Sequence, residues 1–90
     1  VNLTYANLTY ANLNGAILRF ANLTYANLTY ANLGGADLRF SDLSDADLSD
    51  AYLYGADLSG VDLTGVYWYG TTCPDGTNSD DNGNTCENNL

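Results

Sequence analysis

The residues best equipped for chemistry cluster at the C-terminal end, in TTCPDGTNSDDNGNTCENNL. Cys73 and Cys86 are the only cysteines. Two thiols flanking a turn-rich segment read as a disulfide made in an oxidising compartment. A zinc site would want more than two cysteines, or histidines at closer spacing, and the chain has no His. Between the cysteines, Asn78, Asp80 and Asn82 precede Gly83 in the spacing that opens a calcium-binding loop. Asn78 replaces the usual first Asp, and Asn89 falls where a bidentate Glu is expected, so Asp75 or Glu87 would have to complete the shell. The competing reading is an Asx- and Gly-rich turn pinned by the disulfide. No other cofactor is implied.

Catalysis finds little support. There is no His or Lys and a single Glu, and the serines have no neighbouring base to activate them. Paired Asp residues resemble a glycosidase dyad only until their recurrence with a repeat is noticed. The chain reads as a non-enzyme with no small-molecule substrate. Asn-Leu-Thr at 2–4, 7–9, 22–24 and 27–29 matches the N-glycosylation acceptor, but polar residues on both sides of Leu are what the repeat itself demands.

That repeat dictates the architecture. Residues 1–20 and 21–40 differ only at Val1/Ala21, Asn14/Gly34 and Ile17/Asp37, and inside the repeat of twenty lies one of five. Leu recurs every fifth position from Leu3 to Leu63, and Trp68 takes the next place. On a helix this period would spiral round the axis. On one unbroken strand it would alternate faces. It works if each unit is a short extended piece followed by a corner, with Ala and Leu inward and Asn or Asp outward. Four such sides close one coil of twenty.

The thirteen Leu-centred units and the Trp-centred unit, read as A(D/N)LXX over residues 1–70, resemble the pentapeptide repeat family. The resemblance implies an all-β fold, a right-handed quadrilateral β-helix of about three and a half coils, with an irregular disulfide-closed tail. Domains are expected at 1–70 (solenoid) and 71–90 (tail and cap). The tail is similar to the Cys-Pro-Asp-Gly-Thr-Asn-Ser-Asp tails of secreted bacterial members, which implies an extracellular or cell-surface location.

Folding in register stacks Tyr5 on Tyr25, Tyr10 on Tyr30, Phe20 on Phe40 and Arg19 on Arg39. The exposed rings, together with Tyr67, Trp68 and Tyr69 at the far end, form a candidate interface; Trp68 is expected to plug the last inward position. Gly15, Gly35 and Gly55 mark a corner that wants positive φ. Charge is uneven: residues 1–36 carry one Arg and no acid, whereas 37–90 hold all eleven acids and one Arg. With a net charge of −9, direct nucleic acid binding is not expected. No apolar run is long enough for membrane insertion.

The chain starts without Met and enters the repeat in register at Val1, so a fragment or a processed mature protein is expected, with its first coil covered by more chain or by another subunit. The leading functional expectation is an extracellular structural rod that self-associates end to end into a filament, or acts in surface adhesion. The alternatives are a monomeric terminal domain of a larger surface protein and a DNA mimic that binds a type II topoisomerase, as some acidic members of the family do. Ice binding through the Asn2/Thr4 and Asn22/Thr24 rows is a further reading, weakened where Asp42/Ser44 interrupts them.

Overall fold

A computed structural model describes residues 1–90. The backbone is a four-sided parallel solenoid. Parallel bridges join each outward residue to the one twenty positions later, from Asn2 with Asn22 to Tyr52 with Thr72. Residues 1–20, 21–40, 41–60 and 61–72 therefore form successive levels. The straight runs are short, and in the middle levels the outward residue of each bridges to the levels on both sides, as Asn22 does to Asn2 and to Asp42.

Each five-residue unit repeats the same physics. Leu3 N–H donates to Asn22 O at 2.7 Å, and Asn22 N–H returns to Val1 O at 2.9 Å, so adjacent levels exchange bonds in both directions. The corner is a β-turn closed by Ala6 N–H to Leu3 O at 3.0 Å, with positive φ at its third residue. The outward Asn or Asp fastens that turn. Asn2 Oδ1, for example, accepts from Thr4 N–H at 3.1 Å and from the Thr4 hydroxyl at 2.6 Å. Such Asx turns explain why the middle position is Asn or Asp.

Inside, Ala and Leu alternate as small and large fillers. Leu23, Leu28, Leu33, Leu38, Leu43, Leu48 and Leu53 are wholly buried, each gaining roughly 1.5–3 kcal/mol from leaving water. Leu3, Leu8, Leu13 and Leu18 are only partly covered, because no level lies over theirs in this structure. One polar atom breaks the lining: Ser41 Oγ is buried without a partner where other levels place Ala or Val.

The last parallel bridge is at Thr72 and the last parallel bond is Gly55 N–H to Pro74 O at 3.0 Å, with Cys73 buried in the inward place after Trp68; the tail then doubles back in an antiparallel bridge between Thr72 and Asn78. A single 3₁₀ turn, Ser79–Asp81, follows. Cys73 and Cys86 are joined, with Cα atoms 5.3 Å apart and both side chains fully buried. Ser79 Oγ donates to Trp68 O and accepts from Thr71 N–H at 3.0 Å. The Thr71 hydroxyl donates to Leu48 O at 2.7 Å. Trp68 is buried beneath this cap, but Cys73 and not Trp68 takes the last inward position, so the plug is shared between an indole and the disulfide-held tail.

Candidate contact surface

The outward corners carry the aromatic residues into solvent. Tyr5 and Tyr25 stack with ring centroids 4.9 Å apart, Tyr10 and Tyr30 at 4.8 Å, and Phe20 and Phe40 at 5.3 Å. These separations match the spacing of neighbouring strands, so the ladder itself brings the rings into contact. Tyr5, Tyr10 and Phe20 are each 72% exposed. All six residues sit at φ between 59 and 62°, in the left-handed region. That is an outlier for a bulky side chain, with a cost of about 1 kcal/mol or more per residue. Ring stacking returns about 0.5–1.5 kcal/mol per pair, which recovers only part of the cost of the two strained residues in it.

Lower levels solve the same corners differently. The column of Tyr5 and Tyr25 continues to Asp45 and Gly65, that of Tyr10 and Tyr30 to Asp50 and Gly70, and that of Phe20 and Phe40 to Gly60. A Cβ added at Gly60 would lie 2.5 Å from the Phe40 ring, which covers that glycine. The Asp45 and Asp50 carboxylates, one level below, raise the pKa values of Tyr25 and Tyr30. Of the remaining interface candidates, Tyr67 and Tyr69 point outward and are exposed, whereas Trp68 is buried and belongs to the core.

On the neighbouring side the expected stack of Arg19 on Arg39 is replaced by an ionic rung. Asp37 Oδ2 sits 3.0 Å from Arg19 Nε and 2.9 Å from Arg39 Nη2, and Arg39 Nε lies 3.8 Å from Asp57 Oδ2. Hydrogen bonds from Arg39, aided by both guanidinium charges, hold the Asp37 carboxyl at about 2. Asp57 is lowered by the Ser59 hydroxyl and Asp62 by the Thr64 N–H. The stacked acids are thus stabilised one by one within their own turns. Ile17 above Asp37 hides this rung from a reading of like over like.

Each of the proposed calcium ligands makes a hydrogen bond within the tail or to the corner at Gly70. Asn78 Oδ1 accepts from Asp80 N–H at 2.9 Å, and Asp80 Oδ1 accepts from Gly70 N–H at 2.9 Å. Asn82 turns its amide nitrogen inward, donating to the Thr77 hydroxyl and to Asn78 O. Asp75, offered as a completing ligand, accepts from Thr77 and from Asn89 Nδ2, and no group of three His, Cys, Asp or Glu residues is placed to share a metal. This geometry is that of the closed Asx turn. Ser79 and Thr71, the buried polar pair that fastens the cap, carry no signal in the sequence beyond lying near it.

The family model for pentapeptide repeats matches residues 2–39 and 31–67 in eight copies. The chain belongs to the pentapeptide repeat family. Members fold as right-handed quadrilateral β-helices and are generally non-enzymatic structural or binding proteins. Among solved structures, a pentapeptide repeat protein from Nostoc PCC 7120 is 42% identical over 74% of this chain and 60% of its own, with a TM-score of 0.45. HetL, involved in heterocyst differentiation regulation in Nostoc sp. strain PCC 7120, is 40% identical over 86% of this chain and 40% of its own, with a TM-score of 0.38. A pentapeptide repeat protein from the Arabidopsis thaliana thylakoid lumen is 28% identical over 90% of this chain and 67% of its own, with a TM-score of 0.49. The chain thus spans less than two thirds of the length of either Nostoc protein. No curated protein sequence matches it.

Proposed function

We propose that this protein is a non-catalytic interaction rod of an oxidising compartment, at the cell surface or outside the cell, and that it makes its contacts through its aromatic corners. One observation carries the reading. Six exposed aromatic residues hold a backbone conformation that favours glycine, although the same columns accept Gly60, Gly65 and Gly70 lower down. Strain retained at an exposed position points to a use beyond folding. The Cys73–Cys86 bond supports the choice of compartment, since such bonds are rare where thiols are kept reduced.

The experiment is a comparison of the native protein with a Tyr5→Gly/Tyr10→Gly/Phe20→Gly variant. Strain relief offsets lost stacking, so unfolding free energy should stay within about 1 kcal/mol. Retention of the fluorescently labelled protein on intact producing cells should fall at least tenfold. Equal retention would reduce the rings to braces of the coil, and reactive thiols in protein isolated without reductant would remove the oxidising compartment.

Two other forms of the function rank lower. The cap lies where the next coil of a neighbour would stack, on two of the four sides, which favours a terminal module of about three and a half coils over an end-to-end filament. Uniform filaments of non-reduced protein in negative-stain electron microscopy would reverse that order. The DNA-mimic reading draws on Asp42 over Asp62, but the first level has no acid and Arg19 and Arg39 neutralise the adjoining row. Its test is a stable complex with a type II topoisomerase.

A further inference from the structure

The tail closes only half of the C-terminal end. Over residues 66–75 it supplies Asp80, Ser79 and Thr77 as partners to the N–H groups of Gly70, Thr71 and Cys73, leaving only Trp68 N–H and Val66 O open beneath it. Over residues 56–65 it supplies none. The N–H groups of Leu58, Gly60, Leu63 and Gly65 and the carbonyls of Ala56 and Val61 make no hydrogen bond. Their counterparts one level earlier are all paired: Leu38 N–H to Asp57 O at 3.0 Å, Phe40 N–H to Ser59 O at 2.9 Å, and Ala36 O from Asp57 N–H at 2.9 Å. Along the first of these sides runs an open groove of about 490 Å³, floored by Ala56, Leu58 and Gly60 and flanked by Asp57 and Leu90.

We propose that this groove is a docking site for an extended segment of a partner protein, which adds one more parallel rung to the ladder over residues 56–60 and reads small–basic–aliphatic. The backbone pattern sets the pairing: two segment carbonyls accept from Leu58 and Gly60, and one segment N–H donates to Ala56 O. Addition of a strand to an exposed edge is an established mode of peptide recognition. The inward rows set the first and third residues, since a small side chain belongs over Ala56 and an aliphatic one over Leu58. Charge sets the second. It falls over Asp57, whose only cation, Arg39, is shared with Asp37 and stands 3.8 Å away on the far side. Asp62, on the adjoining side, has no basic partner at all. A Lys or Arg at the middle position meets both needs. This site is at the opposite end from the aromatic corners of Tyr5, Tyr10 and Phe20 and does not depend on them.

The test uses the full, oxidised chain labelled with ¹⁵N and a synthetic peptide, GARLTGG, in amide hydrogen exchange and chemical-shift titration. Without peptide, the Leu58 and Gly60 amides should exchange at least a hundredfold faster than those of Leu38 and Phe40. With saturating peptide they should slow at least fivefold, with shifts centred on 56–60. The peptide with Glu in place of Arg should bind at least tenfold more weakly, as should GARLTGG to an Asp57→Asn/Asp62→Asn variant that keeps its unfolding midpoint. Tyr5→Gly/Tyr10→Gly/Phe20→Gly should leave peptide binding unchanged, which separates this site from the contact surface proposed above. Slow exchange of Leu58 and Gly60 before peptide is added would mean that another copy or another part of the chain fills the edge, and would overturn the proposal. Absence of shifts at 56–60, or equal binding of the Glu peptide, would overturn it as well.

Discussion

The two ends of this solenoid rest on the same backbone and are finished in opposite ways. At the N-terminal level, Leu3, Leu8, Leu13 and Leu18 are half covered and the corners carry rings stacked in pairs. At the other end the corners shrink to glycine, Trp68 and then Cys73 fill the last inward positions, and a disulfide-held tail supplies polar caps to half of the exposed edge. A repeat contacts only its neighbours, so each end must solve its own exposure problem. The first level in this structure carries only side chains that the repeat already provides. The other end needs a segment that abandons the repeat. Local stability should therefore depend on different chemistry at the two ends.

The largest effect expected is from the core between them. Leu33→Ala should cost about 2–5 kcal/mol in denaturant unfolding, because the site is fully enclosed. Leu3→Ala, in the same row of the repeat but partly solvated, should cost less than half as much. Equal losses would erase the contrast between the levels. Next comes the cap. Cys73→Ala/Cys86→Ala should lose about 3 kcal/mol in the chain-entropy account of a loop of this size. It should also red-shift Trp68 fluorescence, while hydrogen exchange of Leu23 and Leu28 stays unchanged. Loss of protection at those two amides would show that the ends are one cooperative unit.

Ser41→Ala should raise stability by about 1 kcal/mol, since it removes a buried hydroxyl with no partner and keeps the volume. A loss would mean that a water satisfies that oxygen. The smallest effect is an acid shoulder from the rung that joins the first two levels. The folded Asp37 carboxyl titrates at about 2, below its ordinary 3.8, so its contribution is complete above about pH 4 and is lost as pH falls through 2. Asp37→Asn should flatten that part of the stability curve. Far-ultraviolet circular dichroism from pH 5 to 1.5 would detect the difference, and identical curves would remove Asp37 as a link between levels.

Much of this was legible in the chain. The period of five places Ala and Leu inward, the period of twenty sets the register, and both appear in the bridges from Asn2 to Thr72. The stacked rings follow from that register. In the candidate calcium loop, Asn78 and Asp80 each give one side-chain oxygen to a backbone N–H and Asn82 gives its amide nitrogen, roles in the turn that the spacing of ligand types does not reveal. Positive φ was expected only at the glycine corner, yet Tyr5, Phe20 and Asp45 adopt it too. One turn geometry serves all four corners, whatever residue occupies them.

The sequence alone determined the coil, because a repeat that alternates small, polar and Leu positions has only one way to bury its leucines while pairing its backbone. Only the tertiary structure decided how charges and ends are satisfied. Asp37 slips between Arg19 and Arg39, Ser79 reaches Trp68 and Thr71, and Thr71 reaches Leu48. These contacts join residues 2 to 23 positions apart, and the repeat of five carries no information about them. They depend on where side chains meet once the levels are stacked and the tail has folded back. The same folding back leaves the end-facing N–H groups of Leu58, Gly60, Leu63 and Gly65 without partners, an open edge that no periodicity announces.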